Sequence, residues 1–168
     1  MNTQTRIFVP CDSAAIAAGA DEVATALQLE CTRRGLDVAI ARNGSRGLFW
    51  LEPMVEVETA NGRVAYGPVQ PEDVPSLLDA GLPQGAAHPL CQGPTEQIPY
   101  LARQERLAFR RMGITEPLSL ADYEAHGGWA GLRNALAMDG AAVVDTVLQS
   151  GLRGRGGAAF PEIGRAHV

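Results

Sequence analysis

The chain has 168 residues, a formal net charge of −5, 46% hydrophobic residues and 20% charged ones. That length suits one domain, or a small domain with part of another, and the ordinary apolar fraction excludes disorder as a whole-chain description. The acidic balance excludes a general nucleic-acid binder. All basic residues are Arg, with no Lys anywhere, and aromatics make up only 5%, so the core must rest on Ala, Val, Leu and Ile. Met1 to Phe8 shows no basic-then-apolar signal pattern. No apolar run reaches bilayer length, and a cytoplasmic location is expected. Cys11, Cys31 and Cys91 are far apart and form no C-x-x-C pair, so neither a disulfide framework nor a metal site is expected.

In chain order, Arg6 to Val9 reads as a short strand stopped by Pro10. A helix is predicted over 18–34, with Ala20, Val23, Leu27 and Cys31 at helical spacing and Gly35 as its terminator. Leu36 to Ala41 reads as a strand, and Gly44 to Gly47 as a turn. Met54 to Thr59 alternates apolar with acidic residues, the pattern of a half-buried strand. Asn61-Gly62 signals a hairpin whose return strand is Val64 to Tyr66. Pro71 opens a helix through Asp79. This β-α-β-β-β-α order predicts an α/β, thioredoxin-like module over residues 1–82. Residues 83–97, rich in Pro, Gly, Ala and Gln, read as a linker.

Beyond the linker the chain turns helical, over residues 98–161. One helix is expected from Tyr100 to Arg111, whose arginines form a solvated or partner-facing side. Ser119 begins a capping box with Asp122. Trp129, Leu132 and Leu136 mark a short helix face. Asp139 caps a last helix through Gln149, ended by Gly151.

The segment Ser150 to Pro161 carries the chemistry. Four glycines, Gly151, Gly154, Gly156 and Gly157, fall within seven positions. Glycine lets backbone approach a bulky anion closely, and successive N–H groups can cup phosphate oxygens. Arg153 and Arg155 add positive charge, and Phe160 can offer a ring face to a flat heterocycle. This local chemistry suits a phosphorylated planar cofactor.

The pieces Ile98-Pro99-Tyr100-Leu101, Gln104 to Leu107, Met112 to Ser119, Asp122 to Gly128 and Ser150 to Pro161 resemble, in order and spacing, the start of the flavoprotein subunit of complex I and its relatives. That resemblance implies hydride exchange between NAD(H) and FMN, with single electrons passing to a 4Fe-4S cluster held in a more C-terminal part. It places Gly154, Arg155, Gly156 and Gly157 along the FMN, and Phe160 on the nicotinamide side. No catalytic residue is assigned. The family usually has Gly where Ala159 stands.

Cys11, Gly19 to Val23, Arg34 to Leu36, Gly44 to Gly47, Glu52-Pro53, Tyr66 to Pro68 and Pro71 to Val74 resemble the thioredoxin-like 2Fe-2S ferredoxins associated with such subunits. Their cluster needs four thiolates. Here Ser45 stands where the third ligand would be supplied and Phe49 near the fourth, so no 2Fe-2S cluster is expected and the module reads as a docking or packing unit. Cluster-free modules of this kind imply the diaphorase (beta) subunit of an NAD-dependent formate dehydrogenase, with a ferredoxin-like gamma subunit and a molybdenum-containing alpha subunit as partners. The equivalent subunit of complex I or of an NAD-linked hydrogenase stays open, as does a non-catalytic adaptor.

Residues 162–168 have no counterpart in the family and read as translated sequencing adapter, an expected non-native tail that leaves His167 without a role. A flavin loop near a free end lacks an anchor, so the chain by itself is expected neither to retain FMN nor to turn over NADH. Cys31 is expected in the core, and His126 at a helix end.

Overall fold

A computed structural model describes residues 4–162. The chain divides into two compact units, Met1–His126 and Gly127–Val168.

In the first unit, β1 (Thr5–Pro10) is followed by a short helix α1 (Ser13–Ala17) and by α2 (Ala20–Arg34). The helix expected over 18–34 forms as α2, and a short helix that the sequence reading did not include precedes it. Asp12 accepts the N–H groups of Ala14 and Ala15 and starts α1, and Gly19 at φ +102° breaks the rise before α2. Asp21 and Glu22 lie in the first turn of α2 and Arg33 and Arg34 in its last, each sign placed to favour the helix dipole. Gly35, at φ +66°, ends it as expected. The chain continues through β2 (Val38–Asn43), β3 (Val55–Thr59), β4 (Gly62–Tyr66), α3 (Val74–Ala80) and β5 (Cys91–Pro94).

The strand order is β2-β1-β3-β4-β5. β1 and β2 are parallel, and every other neighbouring pair is antiparallel. The first four strands with α2 and α3 make the thioredoxin-like arrangement that the element order implied.

One sheet face carries the main core. Ile7 and Val9 of β1, with Val55 and Val57 of β3, pack with Val23, Leu27 and Cys31 of α2 and Leu77 of α3. Cys31 is core, and burial pushes its thiol pKa up. A smaller cluster joins Leu48, Leu51, Met54 and Ala65 to Ile98 and Leu101.

Residues 83–97 are not a linker. β5 lies within them and pairs with β4, Tyr66 opposite Cys91 and Val64 opposite Pro94. An edge strand binds through its backbone and tolerates Pro, so a Gly- and Pro-rich composition hides it. The Tyr66 hydroxyl donates to the Ala86 carbonyl at 2.6 Å, tying the preceding loop down. Burial, with Cys91 beside it, pushes that phenol up to about 12.

The helix expected from Tyr100 to Arg111 is also shorter: α4 covers Pro99–Ala102, and residues 103–116 run on as turns. These residues belong with the first unit, so the expected boundary near residue 98 is not the compact-unit boundary. α5 (Leu120–Ala125) begins at Ser119, which accepts the Asp122 N–H, and closes at His126.

In the second unit, α6 (Ala130–Leu136) and α7 (Gly140–Gln149) follow the predicted helices. Asp139 caps α7 by accepting the Ala142 N–H at 2.8 Å. No residue of either helix is buried. No helix among the described residues is long and apolar enough to cross a membrane. The expected tail falls at 162–168, of which 163–168 lie outside the described residues.

Candidate functional site

The glycine–arginine loop follows α7 directly. Gly151 reverses the chain at φ +64°, where a Cβ would be strained. The Ser150 hydroxyl donates to the Val147 carbonyl and accepts the Leu152 N–H. The loop then closes on itself. Gly154 N–H donates to the Phe160 carbonyl at 2.8 Å, Glu162 N–H to the Leu152 carbonyl at 3.0 Å, and Arg153 bridges Pro161. Gly154 is buried, while Arg153, Arg155 and Phe160 are exposed. A small cavity of about 170 Å³ lies between Val147, Leu148, Gly151, Leu152 and Arg153, with Pro161 and Glu162 beyond.

Gly156 and Gly157 sit at the loop's tip. Neither takes the left-handed backbone that would demand glycine. A Cβ built at either meets nothing within 4 Å. The protein itself therefore gives no steric reason for these two glycines, and the free space above them is what a close ligand approach requires. The backbone N–H groups of Arg155, Gly156, Gly157 and Ala158 donate to no acceptor among the described residues. Successive free amides can cup an anion. The arrangement fits the phosphate of a nucleotide. Ala159 holds a positive φ of +47°, a conformation that costs an L residue about 1–2 kcal/mol. This strain gives a local reason for a glycine there.

The other candidates resolve differently. Cys11 follows β1, and its N–H donates to the Asn43 carbonyl at 2.9 Å. Ser45 is buried and donates to Glu52 Oε1 at 2.7 Å, while Glu52 Oε2 accepts the Met54 N–H at 3.0 Å. Burial pushes the Glu52 carboxyl above the usual carboxylate range, against the opposing hydrogen bonds from Ser45 and Met54. Of the positions that the resemblance would give to thiolates, Ser45 thus carries a hydroxyl bonded to a carboxyl, and Phe49 is an exposed ring. Cys31 is committed to the α2 core face and Cys91 to β5. The chain has three cysteines, and the cluster of the ferredoxins that it resembles takes four thiolates. Among the described residues no group of three His, Cys, Asp or Glu side chains could hold a metal ion.

Ser76 and His88 meet at 3.2 Å, a contact the sequence did not flag. His88 Nδ1 accepts the Leu90 N–H, so the neutral ring carries its proton on Nε2 and donates it to Ser76. Ser76 in turn donates to the Asp73 carbonyl. The hydroxyl proton faces no base, so this pair is not an activated nucleophile. His126 Nδ1 donates to the Asp122 carbonyl at 2.8 Å, as a helix-end residue does.

Sequence pattern gave no sign of the sheet's second face. Glu56, expected on a solvated side of β3, is 1% exposed. Arg46 Nε and Nη2 grip its two oxygens at 3.0 and 2.9 Å, and Arg46 Nη1 reaches Glu96 at 2.7 Å. Burial opposes the Arg46 charge, but Glu56 and Glu96 hold its pKa above the ordinary arginine value. Arg63 lies over the Phe8 ring at 3.4 Å and donates to the carbonyls of Gly113 and Ile114. The turns over 103–116 form a strap that covers these charges.

No family profile matches the chain. A stretch of 59 residues, 35% of this chain, is 52% identical to the NADP-reducing hydrogenase protein HndC of Solidesulfovibrio fructosivorans. A stretch of 46 residues, 27% of this chain, is 52% identical to one of the subunits of the NADH-quinone oxidoreductase of Streptomyces coelicolor. The matched stretches span only 12% and 10% of those two relatives. Among solved structures, a cysteine-to-serine variant of the thioredoxin-like 2Fe-2S ferredoxin from Aquifex aeolicus aligns with 53% of this chain and 98% of its own. The identity is 24% and the TM-score 0.46. A second such variant aligns over the same shares at 26% identity and a TM-score of 0.45.

Proposed function

We propose that this chain is part of a diaphorase-type subunit of an NAD(P)-linked oxidoreductase and that the 150–161 loop grips the phosphate of FMN. The observation that carries the reading is the pair Gly156–Gly157, open above and flanked by free amides. The 52% identity over 59 residues to a hydrogenase subunit supports the same class. When bound, FMN supplies hydride acceptance from NAD(H) and one-electron release toward iron–sulfur centres. The chain's own part is to seat the phosphate on the N–H groups of 155–158, with Arg153 and Arg155 adding charge. Phe160, 59% exposed, offers a ring face on the nicotinamide side. No general acid or base is required of this segment.

In this reading the protein works in the cytoplasm with the other subunits of its complex. A formate dehydrogenase, with its gamma and alpha subunits, is one setting. A second setting, an NAD(P)-linked hydrogenase, is favoured by the similarity to HndC. The thioredoxin-like module serves as a docking or packing unit.

The test is an FMN titration of the chain followed by amide resonances. Saturable shifts at residues 154–158 are expected. Gly156→Ala should leave the fold unchanged, since its Cβ enters open space, yet abolish those shifts. Saturable shifts that survive this substitution, or that appear only elsewhere, would remove the loop from the flavin site.

A further inference from the structure

The strap over 103–116 encloses a cavity of about 170 Å³ in the first unit, lined by Arg46, Glu96, Gln104, Arg106, Arg110 and Met112 among others. Arg46 is fully engaged there by Glu56 and Glu96. Arg106 is not. Its Nε donates to Gln104 Oε1 at 2.8 Å and its Nη2 to the Arg46 carbonyl at 3.0 Å. Its Nη1 is buried with no acceptor. Arg110 lines the same space, and no carboxylate among the described residues pairs with either arginine. A buried guanidinium nitrogen without an acceptor is costly and calls for a partner.

We propose that this cavity binds a tetrahedral oxyanion, inorganic phosphate or a phosphoryl group, between Arg106 and Arg110. Water can satisfy the orphaned Nη1 but neither positive charge, and a carboxylate answers one charge. A phosphate dianion answers both and offers the several acceptor oxygens that guanidinium groups pair with best. The space holds about five waters at roughly 30 Å³ each, enough for one such ion. Both arginines belong to the strap, so the bound anion also orders it. The residues of this site belong to the first unit and those of the 150–161 loop to the second, and failure of the one reading leaves the other standing.

The experiment titrates inorganic phosphate into the whole chain, following backbone and arginine Nε–H resonances, with sodium chloride at matched ionic strength as control. Saturable shifts at Arg106 and Arg110 are expected. Arg110→Gln, an exposed change that spares the fold, should weaken binding about tenfold, while Arg103→Gln, outside the cavity, should not. Adenosine monophosphate in place of phosphate distinguishes the sources: shifts at the same residues indicate a carried phosphoryl group, and shifts with phosphate alone indicate the free ion. Non-saturable shifts, equal shifts with chloride, or binding untouched by Arg110→Gln would overturn the site.

Discussion

Gly113→Ala puts the strap to a quantitative test. Gly113 sits at φ +77°, and a Cβ there would lie 2.1 Å from Arg46 Cδ and 2.7 Å from its Nε. The left-handed backbone alone costs an alanine about 1–2 kcal/mol. Overpacking of a filled site adds about 1–3 kcal/mol. Arg46 cannot step aside cheaply, because two of its nitrogens hold buried Glu56, and stranding that carboxylate costs about 3–5 kcal/mol. Opening the strap is the cheaper escape. It gives up the bonds from Asn43 and Arg63 to the Gly113 carbonyl, at 2.7 and 2.9 Å, and from Arg63 to Ile114 at 2.8 Å. A local cost of about 2–5 kcal/mol corresponds to a protection loss of roughly 30-fold to several thousand-fold in amide exchange. Peptide-resolved hydrogen exchange should show that loss over 103–116, with β1 and β3 changed far less. Unchanged exchange in the strap, together with an unchanged melting temperature, would refute the packing argument.

Three further outcomes follow from the same geometry. Ala159→Gly should relieve the positive φ and, after glycine's entropic cost, firm the loop by about 0.5–1 kcal/mol. Slower exchange at the Gly154 amide reports this, and faster exchange contradicts it. Glu52 has a folded-state pKa raised mainly by burial. Its contribution is therefore full below the ordinary carboxylate value of 4.5 and is lost as pH rises through the raised folded value. Denaturant midpoints measured across that window should fall with rising pH in the parent relative to Glu52→Gln, and parallel curves would exclude Glu52 as the source. Breaking the buried pair by Glu56→Leu or Arg46→Met should cost about 3–5 kcal/mol each. The Arg46→Met, Glu56→Leu double variant should recover much of that loss. Strict additivity in a double-mutant cycle would show that the two side chains do not act as a unit.

Much of the architecture follows from local signals. Gly35 ends α2 and Asp139 begins α7 because one needs a left-handed terminator and the other an N–H acceptor, both properties of single residues. The alternation in β1 and β3 puts Ile7, Val9, Val55 and Val57 on one face through a period of two alone. The glycine–arginine loop is equally visible, because a run of small residues beside charge needs no tertiary context to be noticed.

Local signals carry the thioredoxin-like element order, the end of α2, the start of α7 and the place of the candidate phosphate loop, since caps, periodicity and glycine runs act within a few residues. Long-range contacts settle that β5 completes the sheet, that the expected helix stops at Ala102, and that Glu56 is buried. Each of these depends on a partner distant in sequence. The β4 backbone pairs with β5, the Asn43 and Arg63 side chains take the Gly113 and Ile114 carbonyls, and Arg46 neutralises Glu56 ten residues away in the chain. A charged residue reads as solvated until the opposite charge that buries it is in place.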